Sequence, residues 1–272
     1  MNFLIRNTLI YTLSVIGILA MPTESATLPQ DLLEKSPRHH QWVDLTNNNG
    51  HTISSFVVFP ESKNNADIVV IIHENRGLTD WVRWVGDEIA KNGHFAICPD
   101  FLTESGPNGG RTDSFNSSDD ARTAIYQLDP EQITLNLKTV VEYARGLPST
   151  TQKVSIMGFC WGGAQTFRYA TNDNSIVSAF VFYGSPPEKS AMSRINCPVY
   201  GFYGEKDQRI NATIESTEVA MDSFGKIYRP VIYEGVGHAF LKRGFGDNVS
   251  QIEKRANQAA WSRLFSLLKP AQ

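Results

Sequence analysis

The sequence predicts a single-domain α/β fold with a mostly parallel central sheet and helices on both faces. Three observations lead there. Ile68-Val69-Val70-Ile71-Ile72 is an uninterrupted apolar run, the pattern of a parallel strand covered on both sides. Downstream, short apolar runs alternate with longer segments of helical period, the order of repeated βαβ units. Gly158-Phe159-Cys160-Trp161-Gly162-Gly163 stands between an apolar run and a helical segment, so the chain turns tightly from strand to helix. The 272 residues, 41% hydrophobic and 19% charged, suffice for one large core and do not resemble a disordered composition.

The first segment differs from the rest. After Arg6, residues Thr8 to Met21 carry no charge, and Pro22 and Thr23-Glu24-Ser25-Ala26 follow. This is the order of a secretory signal peptide, expected over residues 1–26 with cleavage after Ser25 or Ala26. An uncleaved anchor is the alternative, but the apolar stretch is short against the roughly 20 residues of a membrane span. Either way the domain at 27–272 is expected outside the cytoplasm, periplasmic or secreted.

Leu28 to Arg38, with Pro29 and Pro37, reads as an irregular lead-in. Gln41–Leu45 and Ile53–Phe59 flank the turn signal Asn47-Asn48-Asn49-Gly50, which predicts a β-hairpin. After the strand Ile68–Ile72, the spacing of Trp81, Trp84, Val85 and Ile89 predicts a helix over Asp80–Asn92. Strands follow at Phe95–Cys98, Val154–Met157, Ile176–Tyr183, Pro198–Tyr203 and Ile227–Tyr233. Helices are expected over Glu131–Arg145, Ala164–Thr171, Asn211–Phe224 with Asn211 as N-cap, and Ile252–Leu268. Phe101 to Asp119 is rich in Gly, Ser, Asp and Asn and reads as a long loop, a lid or a solvated excursion.

Three cysteines in an exported chain raise the question of pairing. Cys98 ends one strand and Cys197 begins another. A five-residue strand is about 16 Å long, and bridged Cα atoms lie within about 7 Å. No Cys98–Cys197 bond is expected, and both read as small buried hydrophobes. Cys160 is then a free thiol.

Cys160 occupies the centre of the glycine-flanked turn, where a nucleophile is presented in a strained backbone. A thiol near its reference pKa of about 8.5 needs a base, and the base needs an orienting acid. Gly204-Glu205-Lys206-Asp207 follows one later strand and Gly235-Val236-Gly237-His238 another. Loops beyond the carboxyl ends of parallel strands are where open α/β sheets place their sites. Cys160, Asp207 and His238 therefore form the candidate triad, with Glu205 the rival acid. Each residue alone has an ordinary structural explanation; the chain order nucleophile, acid, base is what joins them. The Trp161 N–H, at the helix start, and the Asn75 N–H, after Ile68–Ile72, are the candidate oxyanion donors.

His73-Glu74-Asn75-Arg76-Gly77-Leu78, Cys98-Pro99-Asp100, the 158–163 motif and Gly237-His238-Ala239-Phe240 together resemble the dienelactone hydrolase family, over roughly Val43 to Lys269. The resemblance implies an α/β-hydrolase fold and an ester or lactone hydrolase working through a Cys160–Asp207–His238 triad and a thioester. It also implies that Glu74 helps ionise the thiol when substrate binds; a structural ion pair with Arg76 or Arg122 is the other role open to it. Where better-known members have a serine after the histidine, this chain has Ala239. Lys242 and Arg122 stand where arginines are expected. Arg122, Lys242, Arg76 and Phe240 are thus the expected substrate contacts.

A net charge of −3 and the absence of any basic run argue against a nucleic-acid surface. No metal-ligand spacing or phosphate-binding glycine loop appears, so no cofactor and no metal are expected. The expected partner is a small ester or lactone, met by a monomer. The competing classes are a binding protein that kept the fold and a thiol-redox protein, though no C-x-x-C motif is present. Asn116-Ser117-Ser118, Asn211-Ala212-Thr213 and Asn248-Val249-Ser250 are glycosylation acceptors only in a eukaryotic secretory route.

Overall fold

The strands β1 (His40–Thr46), β2 (Thr52–Val58), β3 (Ala66–Ile72), β4 (Phe95–Pro99), β5 (Thr150–Phe159), β6 (Ser178–Phe182), β7 (Val199–Gly204) and β8 (Tyr228–Tyr233) form one sheet. Its order is β1-β2-β4-β3-β5-β6-β7-β8. The computed structural model describes residues 28–62 and 64–268; the expected signal peptide lies outside them. β1 and β2 pair antiparallel across the predicted Asn47–Gly50 turn, and β2 meets β4 antiparallel. The other neighbours are all parallel.

The helices are α1 (Pro29–Glu34), α2 (Asp80–Lys91), α3 (Ser118–Ile125), α4 (Pro130–Gly146), α5 (Trp161–Tyr169), α6 (Lys189–Met192), α7 (Gln208–Asn211), α8 (Ile214–Ser223), α9 (Phe240–Arg243) and α10 (Gln251–Leu268). Two cores lie on opposite faces of the sheet. β3 shows why its sequence is apolar throughout. Ile68, Val70 and Ile72 join the core beneath α4, α5 and α8. Val69 and Ile71 join the core beneath α2 and α10. Both faces of β3 are dry, so both sets of alternating side chains must be hydrophobic.

Three expectations need correction. The lead-in is not irregular: Pro29 sits in the first turn of α1, where a missing N–H costs nothing, and Leu33 is buried. Asn211 does not cap a helix to Phe224. It ends the short α7, and its side-chain amide donates to the carbonyls of Gly204 and Glu205 at 2.9 and 3.0 Å. The 101–119 stretch is folded rather than a free excursion. It holds two 3₁₀ turns, and its last residues open α3. The buried Asp100 carboxylate anchors it by accepting from the N–H groups of Leu102 and Thr112 and from the Thr112 hydroxyl.

Cys98 and Cys197 are buried in different cores on opposite sides of the sheet, and no cysteine is paired. A buried charged cluster fastens the N-terminal segment to α2. Asp87 accepts from Ser36, from His40 and twice from Arg38, at 2.5–2.9 Å. The carboxylate is 3% exposed and the Arg38 side chain 8%, so their partnership is screened from water. Burial pushes the Asp87 carboxyl up, but the hydrogen bonds from Arg38, Ser36 and His40 outweigh it and hold the group below its ordinary range.

Candidate active site

β5 delivers Cys160 and α5 begins at the next residue, as the glycine-flanked motif demands. Cys160 has φ 56° and ψ −114°, a conformation that L-residues avoid. Its N–H donates to the Phe182 carbonyl at 3.0 Å, and its carbonyl accepts from Ala164 N–H at 3.1 Å. Gly162 lets α5 approach β3: a Cβ there would meet the carbonyl oxygens of His73 and Ile72 at 2.3 and 2.4 Å.

That approach sets the geometry at the sulfur. The backbone N–H groups of Trp161 and Asn75 both face Cys160 Sγ. Burial pushes this half-buried thiol up, and the nearby Glu74 carboxylate pushes it further; the two amides and the Arg209 guanidinium oppose them without prevailing. The resting group is therefore a thiol near neutrality. The other cysteines are still less ionisable, since burial raises Cys98 strongly and pushes Cys197 up to about 12.

His73 holds both amides in place. Its Nε2 accepts from the Phe101 N–H at 3.1 Å, so Nδ1 carries the proton and donates to the Glu74 carbonyl at 2.7 Å. The ring is fully buried and stacks on the Trp161 indole at 5.5 Å. Burial lowers its pKa, which keeps it neutral. One side chain thus ties the loop after β3 to the first residue of α5.

Asp207 and His238 come together across the ends of β7 and β8. Asp207 Oδ2 accepts from His238 Nδ1 at 2.5 Å, with the carboxylate 6% exposed and the imidazole 30%. The Asp207 loop is pinned three ways: by the Asn211 side chain, by Lys206 N–H on the Val236 carbonyl, and by Asp207 N–H on Gly204. Glu205, the rival acid, is exposed, and its carboxylate accepts from Gly235 N–H at 2.8 Å. Cys160 makes no hydrogen bond to His238 among the described residues; the amides face its sulfur instead.

Glu74 is 7% exposed, and Lys242 Nζ donates to its Oε2 at 3.0 Å. Its ion partner is therefore Lys242, neither Arg76 nor Arg122. Arg76 points away, to Ser118 Oγ and Asp119 at 2.8 and 2.6 Å. Arg122 lies exposed on α3. Phe240, expected beside substrate, has no exposed surface and packs on Tyr233 and Tyr183, so it supports the site from beneath.

Sequence reasoning missed Asn211, His73, Arg209 and Tyr183. Arg209, two residues after Asp207, is exposed and near enough for its charge to favour the thiolate. Tyr183 directly follows β6 with φ 42°, and its ring stands edge-on to His238 at 5.0 Å. Only the oddity of a tyrosine before Gly184 hinted at it.

A family model for the dienelactone hydrolase family matches residues 53–272. Carboxymethylenebutenolidase 1 of Cupriavidus pinatubonensis is 28% identical over 231 residues, covering 84% of this chain and 97% of that protein. The carboxymethylenebutenolidase of Pseudomonas putida is 25% identical over 237 residues, covering 85% and 96%. Among solved structures, a protein described as a dienelactone hydrolase from Klebsiella pneumoniae superposes with a TM-score of 0.74 at 21% identity, over 85% of this chain and 98% of that one. A dienelactone hydrolase-like promiscuous phosphotriesterase from metagenomic libraries gives 0.68 at 19%, over 85% and 98%. At those identities the two structures speak to the fold, which is the α/β-hydrolase fold. A cysteine in the strand-to-helix turn, the acid and histidine in later loops, and the matched span of 53–272 agree: the chain belongs to the dienelactone hydrolase family.

Proposed function

We propose that the chain hydrolyses a small carboxylic ester or lactone through Cys160, His238 and Asp207. One observation carries the reading: a strained, half-buried thiol with two backbone N–H groups aimed at its sulfur, in a chain whose later strand-end loops hold an imidazole on a buried carboxylate at 2.5 Å. Substrate places its carbonyl oxygen toward the Trp161 and Asn75 N–H groups. His238 Nε2 takes the thiol proton, and Asp207 stabilises the imidazolium. Sγ attacks the carbonyl carbon, and the oxyanion gains about 3 kcal/mol from each amide donor. Collapse expels the alkoxide, which takes the proton from His238. Water then gives a proton to His238 and attacks the thioester, releasing the acid and restoring the thiol.

Glu74 gives the reaction a condition. In the resting site Lys242 pairs with the carboxylate, whose charge helps keep the thiol protonated. Substrate that draws Lys242 away frees Glu74 to help His238 take the thiol proton, so the nucleophile is generated at the time of use. That reading suits a chain which, from the order of its first 26 residues, we also infer to be exported. Cell fractionation and N-terminal sequencing of the mature chain test the export.

The mechanism is tested with Cys160→Ala on p-nitrophenyl acetate. Turnover falls to background if the thiol is the nucleophile; turnover at the wild-type rate refutes the mechanism.

A further inference from the structure

Asp100 and Phe101 directly follow β4 and hold the 73–78 loop at both of its ends. At the near end, Phe101 N–H donates to His73 Nε2 at 3.1 Å. At the far end the hold passes through Thr112. Its N–H and hydroxyl donate to the two oxygens of the Asp100 carboxylate at 3.0 and 2.7 Å, and the hydroxyl accepts from Leu78 N–H at 2.9 Å. Thr112 also lies against Gly77, where an added Cβ would collide with its Oγ1 and Cγ2. Asp100 is itself fixed: it is buried, its N–H donates to the Ser54 carbonyl at 2.8 Å, and Leu102 N–H donates to its Oδ1 at 3.0 Å. Between the two anchors, the Glu74 carbonyl accepts from His73 Nδ1 at 2.7 Å and from Gly77 N–H at 3.2 Å. That carbonyl and the Asn75 N–H belong to one planar trans peptide, so fixing the direction of one fixes the other.

We propose that Thr112 is a positioning residue for the Asn75 amide, holding Gly77 and Leu78 so that the 74–75 peptide keeps its N–H on the Cys160 sulfur. The inference rests on the reading of Cys160 as the nucleophile and of the Asn75 N–H as an oxyanion donor, and adds a residue to it. Thr112 acts through the loop: its hold on Gly77 and Leu78 passes by Gly77 N–H to the Glu74 carbonyl, and so to the amide on the other side of that peptide. A hydroxyl is needed because it accepts from Leu78 and donates to Asp100 at once. Valine keeps the shape and does neither. The 101–119 stretch, which carries Thr112, thus reaches the chemistry through the backbone of the 73–78 loop.

The variants are Thr112→Val, Thr112→Ser and, as a control, Thr150→Val. Thr150 is buried at the start of β5, the opposite end of that strand from Cys160, and its hydroxyl donates to the Ala144 and Leu147 carbonyls at 2.7 and 3.0 Å. The control therefore loses comparable hydroxyl bonds away from the loop. The readouts are kinetics on p-nitrophenyl acetate and the pH profile of Cys160 alkylation by iodoacetamide, read by mass spectrometry. Glu74 and Arg209, whose charges act on the sulfur, stay in place in all three variants. In Thr112→Val, kcat should fall on the order of 10–100-fold with KM within about twofold, at most the loss of a whole oxyanion donor. An amide drawn off the sulfur favours the thiolate less, so the alkylation profile should move up by about half a pH unit, about threefold slower near pH 7. Thr112→Ser and Thr150→Val should follow the parent in both readouts. An unmoved alkylation profile in Thr112→Val overturns the proposal, as do the same changes in Thr150→Val or a KM that rises at constant kcat. Alkylation needs no substrate. If turnover survives Cys160→Ala, the hydrolase reading falls and the alkylation profiles alone decide the role of Thr112. Superimposed profiles in a chain whose turnover requires Cys160 do the reverse.

Discussion

Replacing Gly158 by Ala puts the elbow to a quantitative test. A Cβ built on Gly158 meets the Gly162 carbonyl oxygen at 2.3 Å, its carbon at 2.6 Å and Thr166 Oγ1 at 2.6 Å. Ordinary Cβ contacts begin near 3.4 Å, so something must recede by about 1 Å. The Thr166 hydroxyl can rotate, but the Gly162 atoms are backbone in the first turn of α5, and that turn carries Trp161 N–H. Overpacking of this kind costs about 1–3 kcal/mol, and in a domain of this size each of these lowers Tm by about 2–4 °C. The effect on chemistry should be larger, because a misplacement of about 1 Å in a reacting geometry costs on the order of 10²-fold. The assay is kcat/KM on p-nitrophenyl acetate alongside a calorimetric melt. Gly146→Ala, at the end of α4 with nothing within 4 Å of the added carbon, serves as the control and should change activity in neither direction. Gly158→Ala with activity within twofold of the parent refutes the claim that α5 is positioned by this contact.

Glu74→Gln removes the charge that raises the thiol and leaves Lys242 unneutralised beside it. Resting alkylation of Cys160 at pH 7 should speed up while ester turnover falls; both moving down together contradicts the conditional thiolate. Asp207→Asn should lower kcat on the order of 10⁴-fold by holding His238 in the wrong tautomer, whereas Glu205→Gln should leave kcat close to the parent value in the same assay. Asp87→Asn leaves the Arg38 guanidinium only its exposed partner Glu61, at 3.4 Å, and should cost up to about 3–5 kcal/mol in urea unfolding. The Asp87 carboxyl is held below its ordinary value when folded. Its contribution is therefore complete above the unfolded value of about 3.9 and fades as pH falls through the folded one. The stability gap between parent and Asp87→Asn should close in acid, and a gap that widens there sinks the assignment.

The parts of this protein legible in the sequence are those whose signal is local. The all-apolar β3, the Asn47–Gly50 hairpin turn and the glycines around Cys160 each encode a constraint within about six residues. The pairing of Asp207 with His238 was legible for another reason: a parallel sheet brings the carboxyl ends of successive strands together whatever lies between. What escaped depends on partners distant in the chain. Asn211 reads as a helix cap because its true acceptors, the carbonyls of Gly204 and Glu205, are indistinguishable from any others in a sequence. His73 and Phe101 meet only because β3 and β4 are neighbours. Lys242 outcompetes Arg76 for Glu74 because α9 returns over the site, while the 112–125 segment draws Arg76 toward Asp119.

The backbone at Cys160 has one more consequence. With φ 56° and ψ −114°, the residue occupies a region that glycine enters freely and every other residue enters at a penalty of about 1–3 kcal/mol. Exchanging Cys160 for glycine should therefore yield a chain that is harder to unfold and, on the proposed mechanism, inert. Stability alone favours that exchange, so on the proposed mechanism the strain at Cys160 is the cost of presenting its sulfur. The turn thus sets stability against the proposed activity at a single residue.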